Sequence, residues 1–335
     1  MTIDEQFMQR CLHLAEKGRS AVAPNPMVGC VIVYENKIIG EGWHQKAGQP
    51  HAEVNAIANV KNKALLKDST VYVSLEPCNH YGRTPPCTHL LVEQGVKRVV
   101  VGCQDPFEKV NGSGIETLRQ AGIEVIVGIL EKACQRQNER FFTFHQQKRP
   151  YILLKWAQTA NNMIAPLPED KAAQRPFYIA KQSDLRLVHQ WRSEEAAIAV
   201  GAQTAIDDDP ALTTRWVHGN NPVRVLLDPK NRVGKEHQIF NGEAKTLHYT
   251  FSTLRLPPNA SPKEYLSAVL KDLYTKEIVS LLVEGGRFTL QQLIDCNLWD
   301  EARIYVGEKT IPQGIEAPQF PAMRLGKRHQ GWQHR

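Results

Sequence analysis

Val71-Tyr72-Val73-Ser74-Leu75, then a helical run over 88–94 closed by Gly95, then Val99-Val100-Val101, is the stretch that decides the fold of the first half of this chain. A short apolar run, a helix stopped by glycine and a second short apolar run make a strand–helix–strand unit. The alternation continues downstream, with a helix predicted over 115–121 and Gly122 in its C-cap position, a strand over 124–127, and one closing helix over 130–144. Upstream, Phe7, Met8, Cys11, Leu12 and Ala15 recur at helical spacing. Residues 28–34 and 38–43 read as two strands joined at Glu35-Asn36, and a helix begins near His51 and carries Val54, Ile57 and Ala58. This order predicts a sheet covered by helices, a three-layer α/β domain.

At 335 residues the chain has room for two domains. The polar run His145-Gln146-Gln147-Lys148-Arg149-Pro150 marks the boundary, giving domains over 1–146 and 150–335. Beyond it, strands are predicted over 151–157, 197–200, 223–227 and 278–283, helices over 183–192 and 289–296, and a final strand over 301–306. The basic tail from Lys327 to Arg335 reads as a solvated end. A hydrophobic fraction of 42% and a charged fraction of 23% are those of a globular protein, and no apolar run approaches the roughly 18 residues of a membrane span. The first residues carry no secretory pattern, so a cytoplasmic protein is expected. Net charge is +6, with the basic residues spread along the chain; that is no nucleic-acid footprint, and it suits small phosphorylated ligands. Seven scattered cysteines argue against a disulfide framework, and only Cys78 and Cys87 sit in a context that suggests metal chemistry.

That context is Pro50-His51-Ala52-Glu53 and Pro77-Cys78-Asn79-His80-Tyr81-Gly82-Arg83-Thr84-Pro85-Pro86-Cys87. One imidazole and two thiolates are a zinc set, and three protein ligands keep a fourth position for water. The metal acidifies that water toward neutral pH. Glu53, two residues from His51 at a helix start, can face the water without being a ligand, and is the expected proton shuttle. Cys87 opens its own helix, whose N-terminus favours the thiolate. A closed structural site would need a fourth ligand, for which His44 or His80 is available. The motif H-x-E with P-C-x-x-C marks zinc nucleobase deaminases. Here the first part matches, but eight residues separate the cysteines.

Ala23-Pro24-Asn25-Pro26-Met27-Val28-Gly29-Cys30-Val31, Gly48-Gln49-Pro50-His51-Ala52-Glu53 and the long cysteine spacer together resemble the bifunctional deaminase/reductase of riboflavin biosynthesis, over nearly the whole chain. The resemblance implies a cytidine-deaminase-like domain followed by a dihydrofolate-reductase-like domain, with Zn2+ and NADPH as cofactors. It implies deamination of 2,5-diamino-6-(5-phosphoribosylamino)pyrimidin-4(3H)-one at the 2-amino group, then reduction of the ribosyl group to ribityl. Asn25, His44, Asn79 and His80 become candidates for holding the pyrimidine or ribose, and Arg83 for the phosphate, since guanidinium matches phosphate geometry.

The second half lacks a G-x-G-x-x-G fingerprint. Its telling stretches are Lys155-Trp156-Ala157-Gln158-Thr159, the run from His189-Gln190-Trp191-Arg192 to Arg215, and Val283-Glu284-Gly285-Gly286-Arg287-Phe288-Thr289. A strand ending in Glu-Gly-Gly before a helix offers exposed amides to phosphate. The resemblance maps Ala157, Thr204, Asp208 and Gly286 onto NADPH-binding positions, and Arg192, Leu212, Arg215 and Glu284 onto positions that hold the phosphoribosyl substrate. Two departures stand out. Thr159-Ala160-Asn161-Asn162 replaces the family's Ser-x-Asp-Gly, and Pro176-Phe177-Tyr178-Ile179 replaces its Ser-x-Trp-Ile. They leave open a deaminase whose second domain serves assembly instead of reduction. A zinc-stabilised nucleic-acid binder would need a clustered basic and aromatic surface, which the sequence lacks. A homo-oligomer stays open.

Overall fold

The structure is a computed structural model that describes all residues except 82–84, 109, 168–178, 321–327, 330, 331 and 335. The chain forms two compact units, Met1–Lys148 and Arg149–Arg335.

The first unit runs α1 (Ile3–Glu16), β1 (Gly29–Tyr34), β2 (Lys37–Trp43), α2 (Ala52–Ala58), β3 (Thr70–Leu75), α3 (Cys87–Glu93), β4 (Arg98–Cys103), α4 (Ser113–Gln120), β5 (Glu124–Val127), α5 (Glu131–Gln137) and α6 (Glu139–Gln147). Its sheet has the order β2-β1-β3-β4-β5, with β1 antiparallel to both neighbours and β3, β4 and β5 parallel. Strand side chains alternate between faces. Cys30, Ile32, Val71, Val73, Val99 and Val101 pack with Ala52, Ala56, Leu91 and Leu118 of α2, α3 and α4. Val31, Val33, Tyr72 and Val100 pack with Met8, Cys11 and Leu12 of α1 and with Cys134 and Phe141 of α5 and α6. This is the three-layer arrangement that the alternation predicts.

The closing helix expected over 130–144 is two helices. Asn138, fully inside the fold, breaks it: Met27 N–H donates to its Oδ1 at 2.8 Å, and its Nδ2 donates to Met27 O at 2.9 Å. An asparagine spent on both backbone groups of one residue fixes the loop that carries Asn25. Helical periodicity on either side of the break hides it in the sequence.

The second unit runs β6 (Tyr151–Gln158), β7 (Met163–Pro166), α7 (Gln182–Glu194), β8 (Ala197–Gly201), α8 (Ala202–Asp208), β9 (Val223–Leu227), β10 (Thr246–Tyr249), α9 (Pro262–Thr275), β11 (Ser280–Val283), α10 (Arg287–Asp295), β12 (Glu301–Val306), β13 (Gly314–Glu316), β14 (Arg328–His329) and β15 (Trp332–His334). Its main sheet has the order β10-β9-β8-β11-β6-β12-β15-β14, parallel from β10 to β12. Fully buried runs such as Ala197–Gly201 are what a parallel sheet covered on both faces requires. α9 and α10 pack on one face through Leu266, Leu270, Leu290 and Leu293; α7 and α8 lie on the other.

Two expectations are corrected here. The strand over 301–306 is not the last, and the tail is not a free end: β15 pairs antiparallel with β12, Arg303 opposite His334, and β14 pairs with β15. Two-residue and three-residue strands carry no periodicity of their own; the open edge of β12 gives them their hydrogen-bond partners. α9 went unpredicted although Ser261 and Glu264 form a reciprocal capping box with Pro262 at the first helical position. No helix among the described residues is long and apolar enough to cross a membrane.

Candidate active sites

The first site sits where β3 and α2 deliver their ends. His51 is the N-cap of α2, Cys78 follows β3 by three residues, and Cys87 is the first residue of α3. His51 Nδ1 lies 3.4 Å from Cys78 Sγ and 3.3 Å from Cys87 Sγ. Tetrahedral bonds of roughly 2.0–2.3 Å imply ligand spacings of about 3.5 Å, so this donor set fits zinc. Among the described residues these three make up the one group of His, Cys, Asp or Glu close enough to hold a metal, with ligand atoms within 4.8 Å of one another. Neither histidine offered as a fourth ligand joins them.

The electrostatics are those of a thiolate centre. Contacts with Cys87 and with His51 pull Cys78 down to about 4, while the neighbouring Cys78 sulfur and burial hold Cys87 up. Cys87 N–H donates to Cys78 Sγ at 3.4 Å. The Cys78 contact raises His51 to about 8. Glu53, only 3% exposed in the first turn of α2, is pushed up to about 7 by burial and the nearby Cys78 charge. A carboxyl that exchanges its proton near neutrality is suited to carrying one.

His44 stands edge-on to His51, ring centroids 5.4 Å apart. Its Nδ1 is 3.2 Å from Pro50 O, which can only accept, so Nδ1 carries the proton and Nε2 accepts from Asn25 Nδ2 at 3.1 Å. Burial holds this imidazole low and neutral. Asn25 and His44 thus meet beside the metal set. Asn79 does not join them: its Nδ2 donates to Ser113 O and Thr117 Oγ1, and its Oδ1 accepts from Thr88, tying α3 to α4. His80 lies 5.8 Å from the Phe107 ring, and its Nδ1 is buried without a hydrogen-bond partner among the described residues. Arg83 lies outside the described residues.

One residue went unpredicted. Glu76, 4% exposed and two places before Cys78, takes four backbone N–H groups: Gly114 (2.9 Å) and Ile115 (3.3 Å) on Oε1, Asp105 (3.1 Å) and Gly112 (3.0 Å) on Oε2. It joins the ends of β3 and β4 to the start of α4, where a carboxylate is favoured. Gly114 is obligatory there, since a Cβ would lie 2.2 Å from Pro77 O.

The second site lies at the ends of β6, β8 and β11. Gly286, the N-cap of α10, donates its N–H to Thr204 Oγ1 at 2.9 Å, so two of the expected cofactor residues meet. Asp208 ends the same helix α8 that carries Thr204, and Ala157 is half-buried on β6. The expected substrate residues Arg192 and Glu284 form a bidentate pair, Nη2 to Oε2 at 2.7 Å and Nε to Oε1 at 3.2 Å. Lys155 joins Glu284 at 3.6 Å. Burial alone would raise the Glu284 carboxyl, but the charges of Arg192 and Lys155 hold it down at about 2. Leu212 is 2% exposed with φ of 53°, and Arg215 is exposed, its N–H on His189 Nδ1. Lys155 and His189 stand in stretches quoted above without being singled out; a lysine interrupting the apolar run of strand β6 was the available signal.

The departure at 159–162 has a structural account. Asn161 Nδ2 donates to Ile311 O at 2.7 Å while Ile311 N–H donates to its Oδ1 at 3.2 Å, and Asn162 takes the left-handed φ of 62° that a glycine would otherwise supply. An aspartate could not make the first bond. Residues 176–178 of the other departure lie outside the described residues.

Comparison with known proteins follows this division. Residues 1–103 match the cytidine and deoxycytidylate deaminase zinc-binding region, and residues 150–321 match the RibD C-terminal domain. Riboflavin biosynthesis protein RibD of Aquifex aeolicus is 40% identical over 324 residues, covering 93% of this chain and 89% of the relative. That of Escherichia coli is 35% identical over 366 residues, covering 98% and 97%. Among solved structures, a diaminohydroxyphosphoribosylaminopyrimidine deaminase/5-amino-6-(5-phosphoribosylamino)uracil reductase from Thermotoga maritima superposes with a TM-score of 0.85 at 35% identity, over 99% of this chain and 98% of that one. The expected architecture, a cytidine-deaminase-like domain followed by a reductase domain, is the one found, and this chain belongs to the RibD family of riboflavin biosynthesis proteins.

Proposed function

We propose that this chain is a bifunctional zinc- and NADPH-dependent enzyme of riboflavin biosynthesis. It deaminates 2,5-diamino-6-(5-phosphoribosylamino)pyrimidin-4(3H)-one hydrolytically and then reduces the ribosyl group of the product to ribityl. The observation that carries the reading is the convergence of His51, Cys78 and Cys87 beside a buried Glu53, in a chain whose second unit gathers Thr204 with Gly286 and Arg192 with Glu284.

In the first reaction His51, Cys78 and Cys87 would hold zinc, which when bound supplies Lewis-acid activation of water at neutral pH. Glu53 takes one proton from the attacking water and passes it to the ring nitrogen, then carries the hydroxyl proton of the adduct to the leaving amine. Its burial keeps the carboxyl basic enough to accept and acidic enough to release. Water adds at the amino-bearing carbon and ammonia leaves, so atoms balance without a redox partner. Asn25 and His44 hold the pyrimidine: with Nδ2 on His44, Asn25 is left with its carbonyl oxygen as an acceptor for ring or amine N–H groups. Arg83 is the phosphate contact.

In the second reaction Ala157, Thr204, Asp208 and Gly286 would hold NADPH, which when bound supplies a hydride. Arg192, Leu212, Arg215 and Glu284 would hold the phosphoribosyl chain for reduction at its opened C1. The amide pairing of Asn161 supports an intact reductase, since the turn that departs from the family pattern is held by both backbone groups of Ile311.

The test gives the purified full chain the diaminopyrimidine phosphate and NADPH, following ammonia and nicotinamide absorbance separately. Both signals are expected. Ammonia without NADPH consumption would overturn the reductase half. Glu53→Gln should abolish ammonia release while zinc stays bound; full activity in that variant would remove Glu53 from its role.

A further inference from the structure

His189 is 4% exposed, yet it sits among the charged groups of the reductase site. Its Nδ1 accepts the backbone N–H of Arg215 at 3.1 Å, and its ring lies nearly parallel to Trp216, 9° between planes at 6.0 Å. Burial, with the charges of Arg192, Arg215 and Lys155, holds the imidazole down at about 4, against the opposing pull of Glu284. The ring is therefore neutral at physiological pH. With Nδ1 accepting, its single proton is on Nε2. Nε2 has no hydrogen-bond partner among the described residues, and it is not one of the side-chain nitrogens sealed from solvent.

A nine-tenths buried imidazole with one committed nitrogen and one uncommitted donor, beside exposed Arg215, is built to meet an acceptor from outside. Arg192 cannot serve in the same way, because its guanidinium is engaged by Glu284 and by Thr213 O. Arg215 donates to Thr213 Oγ1 but remains exposed, so the free positive charge of the site is at the His189 end. An anionic oxygen is the acceptor that such a donor and such a cation favour together.

We propose that His189 donates its Nε2–H to the phosphate of the phosphoribosyl substrate during reduction, with Arg215 supplying the charge. The inference rests on the reductase reading of this unit. His189 is a binding residue that also fixes the Arg215 backbone, and its two ring nitrogens separate these tasks.

The variants separate them as well. In His189→Asn the amide oxygen replaces Nδ1 and can keep the Arg215 N–H, but no donor reaches the Nε2 position. In His189→Gln a donor is restored there. In the full-length zinc-loaded chain, with preformed 5-amino-6-(5-phosphoribosylamino)uracil and NADPH, His189→Asn should raise KM for that substrate about tenfold or more, the usual weight of a hydrogen bond to a charged group. The inhibition constant of inorganic phosphate should rise in step, with NADPH affinity within about twofold. His189→Gln should recover to within about threefold. A wild-type KM in His189→Asn, or a raised KM with unchanged phosphate inhibition, overturns the proposal. If His189→Asn fails to fold, wild-type protein labelled with 15N-histidine decides: adding inorganic phosphate should move one neutral Nε2–H resonance that is missing in His189→Gln, and no movement overturns the proposal. Wild-type protein that consumes no NADPH removes the reductase reading instead, so the two failures are distinguishable.

Discussion

Replacing Glu76 by Gln should destabilise the first unit by about 4 kcal/mol. The substitution keeps shape and volume but puts an NH2 where one carboxylate oxygen stood. Each oxygen takes two backbone N–H groups, from Gly114 and Ile115 or from Asp105 and Gly112. Whichever way the amide turns, two buried donors lose their acceptor, at about 1–3 kcal/mol each. For a unit of the size of Met1–Lys148 this is a fall in Tm of about 10 °C. Scanning calorimetry of the full chain should show that transition move while the other stays. Amide exchange should accelerate first at residues 112, 114 and 115, at the start of α4. Because Cys78 is two residues from Glu76, zinc should also be lost more readily to a chelator than from the parent. A shift below about 3 °C with unchanged exchange at those amides would refute the reasoning, and would mean that the carboxylate is not the acceptor holding β3, β4 and α4 together.

Three further outcomes follow from the same kind of reasoning. Glu284 is held at about 2 against an ordinary 4.5, so its ionised form contributes about 3 kcal/mol to the second unit. That contribution is complete above pH about 4.5 and is lost as pH falls toward 2; urea denaturation between pH 7 and 3 should show it, and an undiminished slope in Glu284→Gln would contradict it. Asn161→Asp turns a donor to Ile311 O into a carboxylate facing a carbonyl; a loss of about 2 kcal/mol is expected in urea, and an unchanged midpoint would contradict the pairing. Chelation of zinc should abolish ammonia release while NADPH oxidation with the preformed uracil substrate persists, because no expected reductase residue belongs to the metal set; parallel loss of both would argue against separate sites.

Local pattern determined much of this protein. Strand–helix alternation is a property of neighbouring residues, and the glycines and prolines that punctuate it act on their own φ angles; the three-layer first unit and its sheet could therefore be read from periodicity. The metal set was legible too, because zinc demands particular atoms and His51, Cys78 and Cys87 each stand at an element end that short-range signals mark. Only the tertiary structure decided what satisfies what. Asn138 breaks a helix for a partner 111 residues away, Glu76 finds amides 29 to 39 residues on, and Asn161 replaces an expected aspartate because Ile311 O lies opposite. The bonds of Asn79 and His189 are set in the same way: the amide of one pairs inside the protein, while the other keeps a ring nitrogen uncommitted. Hydrogen-bond satisfaction is a relation between distant groups, and one sequence position carries no record of its partner.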